Sequence, residues 1–128
     1  VCSTMDIYAT VHQLAGIPLP TDRIIDSHDL MPVLTASGSS TRELLFYYRG
    51  YRLMAVRKGP WKMHLMTQNA YGQPEPIVHE RPLLFQLDHD PSEKHDLGEH
   101  HPELIAQLME DVRHHQSMLK PAPSELEK

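Results

Sequence analysis

From Pro102 to Leu119 the residues Leu104, Ile105, Leu108, Met109, Val112, Met118 and Leu119 fall on one arc of a helical wheel. A helix with a single apolar stripe must lay that stripe against another layer, because the rest of its surface belongs in water. The chain just upstream can supply the layer. Four runs rich in aliphatic and aromatic residues, 44–48, 53–58, 61–66 and 83–87, have the composition of strands. Gly59-Pro60 reads as a hairpin turn between the second and third. Trp61, Met63 and Leu65 alternate with Lys62, His64 and Met66, as on a half-buried strand. The expected fold is α+β: a small antiparallel sheet of about four strands packed against helix 102–119. Pro102 suits the first helical turn, and Pro121 and Pro123 end the pattern.

The first third of the chain reads differently. Ile7, Val11, Leu14 and Ala15 recur with helical spacing and predict a helix over 4–15. Thr4 or Asp6 can cap its start, and Gly16 suits the left-handed residue beyond its end. Residues 24–35 form a short second unit, with Leu30, Met31, Val33 and Leu34 expected to pack inward. The tract ASGSST at 36–41 reads as a surface loop. The expected division is 1–42 and 43–128. Within the second part, the stretch Thr67–Pro82 exceeds an ordinary hairpin loop, and such long connections tend to carry function.

The 128 residues suffice for one domain with its own core. With 12 basic and 17 acidic side chains, a formal charge of −5 and no basic run, the chain lacks the cationic footprint of a nucleic-acid binder. No apolar run approaches the roughly 20 residues of a membrane span. The single Cys2 excludes an internal disulfide and a multi-cysteine metal site. The chain opens at Val1 just before a helix, without a starting methionine or signal peptide, as an excised piece would.

Ten histidines invite a metal reading. His100-His101 and His114-His115 are adjacent pairs, however, and adjacent helix residues point about 100° apart, which suits chelation poorly. His115, four residues after Asp111, is expected to meet that carboxylate at the edge of the core. Asp88-His89-Asp90 looks like an acid/base cluster. Asp90-Pro91-Ser92-Glu93 nevertheless fits a capping box, with Asp90 at the N-cap and Glu93 at the third helical position, so a structural role is expected. There is no G-x-S-x-G, no phosphate loop and no H-E-x-x-H.

Four segments in order, MDIYATVHQLAGIPLP, IIDSHDLMPVLTAS, LMAVRKGPWKMHL and LLFQLDHDPSEKHDL, resemble the C-terminal part of a type I sulfatase of the arylsulfatase A-like group. The resemblance covers nearly the whole chain. It implies that 1–42 is the tail of a large α/β domain, exposed or loosely docked without its partner layers. It also implies a parent enzyme that hydrolyses sulfate esters with formylglycine and Ca²⁺. Cys2-Ser3-Thr4-Met5 does not match the family motif C/S-x-P-x-R, so catalytic residues and cofactors are expected upstream of Val1, with none in this chain, and the isolated chain is expected to be inactive.

The matching residues Asp6, Gly16, Asp26, Leu30, Arg57, Lys62, Asp88, Pro91 and Glu93 belong to scaffold motifs. Asp96-Leu97 stands where the family usually has Asn-Leu. One run implies function by resemblance. Val78-His79-Glu80-Arg81-Pro82 resembles an H-E-x-P segment that lies at the mouth of the cleft, and His79 is the candidate substrate contact, an imidazole able to donate hydrogen bonds and carry charge. The implied partners are the upstream sulfatase domain and a sulfated small molecule or glycan, in a periplasmic, secreted or lysosomal parent. The alternatives are a non-catalytic interaction or oligomerisation module, the C-terminal part of a related phosphatase or phosphodiesterase, and a histidine-rich metal-binding domain.

Overall fold

The computed structural model describes residues 1–69 and 75–119. The chain divides after Leu45 into two compact units.

In the first unit α1 spans Asp6–Ala15 and is closed by Gly16 at φ 65°, the left-handed conformation that glycine adopts without steric cost. Its start differs from expectation. Met5 occupies the cap position without a side-chain bond, and neither Thr4 nor Asp6 caps the helix. Asp6 is instead fully buried inside the unit. The side that α1 buries is the one carrying Asp6, Ala9 and Thr10, while Ile7, Val11 and Leu14 are 58, 55 and 66 % exposed.

Polar lacing explains this orientation. The Ser27 hydroxyl donates to the Met5 carbonyl (2.7 Å) and accepts from the Ala9 N–H (2.9 Å), inserting into the first helical turn. The Thr10 hydroxyl donates to the Asp6 carbonyl and accepts from the Leu30 N–H. Arg42 grips both Asp6 carboxylate oxygens, at 2.5 and 3.3 Å, and reaches Asp26 at 2.9 Å. The short helix α2, Met31–Leu34, follows. Val33 and Leu34 do not pack inward as expected but are exposed, because the polar contacts fix this segment from its other side.

In the second unit β1 (Leu44–Arg49), β2 (Arg52–Lys58), β3 (Trp61–Thr67) and β4 (Ile77–Gln86) form one sheet in chain order. Lys58 pairs with Trp61 across the Gly59-Pro60 turn, where Gly59 has φ 56°. Val56, Met63 and Leu84 face one another across three strands with no exposed surface. The helix α3, Pro102–Met118, lays Leu108 and Val112 on this sheet, each 2 % exposed. The expected α+β architecture is thus present.

Two local expectations are corrected. β4 begins at Ile77, not at residue 83, so much of the stretch taken for a loop is strand. Residues 90–93 do not start a helix: the Asp90 carboxylate accepts from the N–H groups of Lys94 and His95 in an irregular turn, and Glu93 adopts φ 53°. With no helix to cap, Glu93 reaches across to β3. On α3 the Asp111 carboxylate takes Lys58 at 2.8 Å, while His115 stacks on Phe46 at 3.7 Å and bonds the Tyr48 hydroxyl at 2.9 Å.

Candidate functional site

His79 lies within β4, at an irregularity in the ladder. The antiparallel pairs include Met66↔Val78 and His64↔Leu83, so β3 advances two residues while β4 advances five. The four residues His79–Pro82 therefore stand opposite Leu65, outside the regular register. Such bulges bend a strand and re-aim its side chains. Pro82 fits there because a residue outside the ladder needs no N–H donor. The sequence H-E-R-P that carries the family resemblance and the bulge are the same residues.

The bulge is fastened on both sides. The His79 Nε2 and the Thr67 hydroxyl are 2.9 Å apart, tying the imidazole to the end of β3. Arg81 pairs with Asp96 at 3.1 Å and with Glu99 at 3.3 Å. The other Asp96 oxygen accepts from the N–H groups of Leu84 and Gly98, both at 2.9 Å. Burial alone would raise the Asp96 pKa, but these backbone donors and the charge of Arg81 hold it below the usual carboxylate value. Gly98 is tightly enclosed: a Cβ there would lie 3.1 Å from both Asp96 Oδ1 and the Pro82 carbonyl, so a neighbour would have to shift by a few tenths of an ångström.

A second cluster has catalytic-looking chemistry. Glu93 accepts from Lys62 Nζ at 2.6 Å and contacts His64 Nε2 at 2.7 Å, with the Phe85 ring edge-on to the imidazole. The side chains are only 15–26 % exposed. Desolvation and the neighbouring Lys62 lower the His64 pKa, and burial of Glu93 is outweighed by the Lys62 and His64 contacts that lower its own. Each of these charged groups is satisfied by the others. The cluster bolts the 87–100 segment onto β3. Among the described residues, no three His, Cys, Asp or Glu side chains converge to hold a metal ion. Reading the sequence missed Arg42, the partner of Asp6 and Asp26, because nothing in its local context distinguishes it from a surface arginine.

A four-stranded antiparallel sheet with a bulged last strand and a covering C-terminal helix, preceded by a separate helical unit, defines an α+β region. Residues 40–128 match the family described as the C-terminal region of aryl-sulfatase. The chain belongs to this family. It is 35 % identical to the steryl-sulfatase of Mus musculus over 97 % of its own length and 24 % of the relative's. Identity to the Mus musculus N-acetylgalactosamine-6-sulfatase is 34 %, over 97 % of the chain and 28 % of that protein. A solved sulfatase, BT33336S-sulf, from work on metabolism of multiple glycosaminoglycans by Bacteroides thetaiotaomicron, superposes with TM-score 0.66 at 27 % identity. That match covers 88 % of this chain and 24 % of the other. The chain thus spans about a quarter of the length of the curated relatives it matches.

Proposed function

We propose that the chain is the C-terminal part of an enzyme that hydrolyses sulfate esters, in which it completes the fold and borders the substrate cleft. The match of residues 40–128 to the aryl-sulfatase C-terminal region carries this reading. The relatives' names, a steryl-sulfatase and an N-acetylgalactosamine-6-sulfatase, support a sulfated small molecule or glycan as the substrate class. The nucleophile and the cation belong to residues preceding Val1. The residues here do not fit either group: Cys2 lacks the C/S-x-P-x-R context, and no ligand cluster forms among the described residues. No step through formylglycine or Ca²⁺ is therefore derived from them.

The upstream α/β domain is the intramolecular partner. Its support is the apolar side of α1, where Ile7, Val11 and Leu14 are each more than half exposed. A stripe of this kind is covered in a complete protein. His79 is the substrate contact at the rim, supported by its place in a bulge that strand pairing does not require and by the Thr67 bond that fixes its ring.

The test is His79→Ala in the intact enzyme that carries this chain. Losing one charge-assisted hydrogen bond to a sulfate lowers kcat/KM about 10- to 100-fold, or about 1.5–3 kcal/mol, without lowering the melting temperature. A sulfated glycan that reaches the rim suffers more than a small aryl sulfate. Wild-type kinetics on both substrates would leave His79 with a purely architectural role.

A further inference from the structure

The His79 imidazole has two ring nitrogens, and one of them is engaged. Nε2 lies 2.9 Å from the Thr67 hydroxyl, while Nδ1 has no partner among the described residues. Which nitrogen carries the ring proton decides what the open one can do, since a protonated Nδ1 donates and a bare one only accepts. An ionised sulfate ester offers acceptor oxygens and no donor. A neutral imidazole can therefore bind it through Nδ1 only in the tautomer that places the proton there.

Thr67 selects that tautomer. Among the described residues its hydroxyl has a single hydrogen-bond partner, His79 Nε2, in a part-buried position. A hydroxyl brings one proton to donate, and a neutral ring nitrogen either donates or accepts. With the ring proton on Nε2, the Thr67 O–H would have no acceptor here. With Thr67 donating to a bare Nε2, both groups are satisfied and the ring proton sits on Nδ1.

The backbone sets up the contact. Thr67 pairs with Ile77 across β3 and β4, so His79 is its diagonal neighbour, within side-chain reach. Threonine is β-branched and stiff at χ1, which fixes the direction of its hydroxyl. His79 opens the bulge, where the regular ladder no longer aims its side chain, and the Thr67 bond takes over that task.

We propose that Thr67 is a positioning residue of the substrate rim: its hydroxyl holds the His79 ring in the Nδ1–H tautomer and so presents an uncharged N–H donor to a sulfate oxygen. The inference rests on the reading of His79 as the rim contact and deepens it.

The experiment uses the intact enzyme as wild type, His79→Ala, Thr67→Val, Thr67→Ser and the Thr67→Val/His79→Ala double variant. Valine keeps the branched shape and removes the hydroxyl, whereas serine keeps the hydroxyl. Substrates are a steroid sulfate, N-acetylgalactosamine 6-sulfate and p-nitrophenyl sulfate. On a substrate that His79→Ala impairs, Thr67→Val lowers kcat/KM about fivefold, through KM, and Thr67→Ser restores it. In the His79→Ala background Thr67→Val has no further effect, because it acts only through that ring. In ¹⁵N-histidine spectra at alkaline pH, the resonances lost in His79→Ala show a protonated Nδ1 and a bare Nε2 in the wild type, and Thr67→Val shifts the proton towards Nε2. A wild-type ring protonated on Nε2 would overturn the proposal. So would Thr67→Val kinetics equal to wild type on a substrate that His79→Ala impairs, or an equal loss in the double variant, which marks a merely structural role. If His79→Ala impairs none of the three substrates, the contact reading fails first and takes the positioning role with it.

Discussion

Single residues do unequal work here, and Asp96 separates two kinds of contact. It stands where the family pattern has Asn, and its two oxygens have different tasks. One accepts from the N–H groups of Leu84 and Gly98, which an amide oxygen could also do, and the other holds Arg81, which requires charge. Asp96→Asn is therefore expected to cost less than about 1 kcal/mol, since Arg81 is 44 % exposed and its pairing is screened. Asp96→Ala leaves two backbone donors without a partner and should cost about 1–3 kcal/mol. Denaturant titration of the two variants checks the order, and equal losses would mean that the ion pair, not the backbone contacts, matters. The partners of Glu93, Lys62 and His64, lie 31 and 29 positions away, and no local rule could supply them.

At the scale of elements, periodicity was informative where one face decides and silent where two do. The stripe on α3 predicted both the helix and its buried centre, because Leu108 and Val112 project from one arc onto the sheet. Leu108→Ala should lower stability by about 2–5 kcal/mol, measured as a fall in melting temperature. An unchanged melting temperature would mean that α3 is not docked. On α1 the same periodicity located the helix yet pointed to the exposed side, since the unit is organised around Asp6, Thr10 and Ser27 rather than around Ile7 and Val11. β4 was read short because His79–Pro82 is polar and ends in proline, both of which disfavour a regular strand. The pairing resumes on either side of that interruption, with Val78 and with Leu83, which only the partner strand reveals.

For the whole molecule, acid is the condition that tests the buried charges together. Burial alone would raise the Asp6 pKa, but Arg42 and the His28 and Ser3 N–H groups bring it down to about 2. A depressed carboxylate contributes stability above its unfolded value and loses it as pH falls, so the first unit weakens from about pH 4 towards pH 2. That contribution is about 2 kcal/mol, from about 1.4 kcal/mol per pKa unit. The His64 imidazole, whose pKa is lowered by burial, resists protonation in the folded state, and the Glu93 carboxylate is held ionised. The second unit therefore begins to lose stability earlier, as pH drops below the usual histidine value. Melting curves between pH 8 and pH 2 should show a fall starting near pH 6 that His64→Gln reduces. A fall identical in wild type and variant would remove His64 from the account. The sequence by itself determined the α+β composition, the Gly59-Pro60 hairpin, the stripe of α3 and the family resemblance, because each follows from neighbouring residues or short periods. Tertiary structure alone decided which side of α1 is buried, the Arg42 and Glu93 ion pairs, and the bulge that carries His79. Those depend on contacts between residues far apart in the chain, where burial and pairing outweigh local preference.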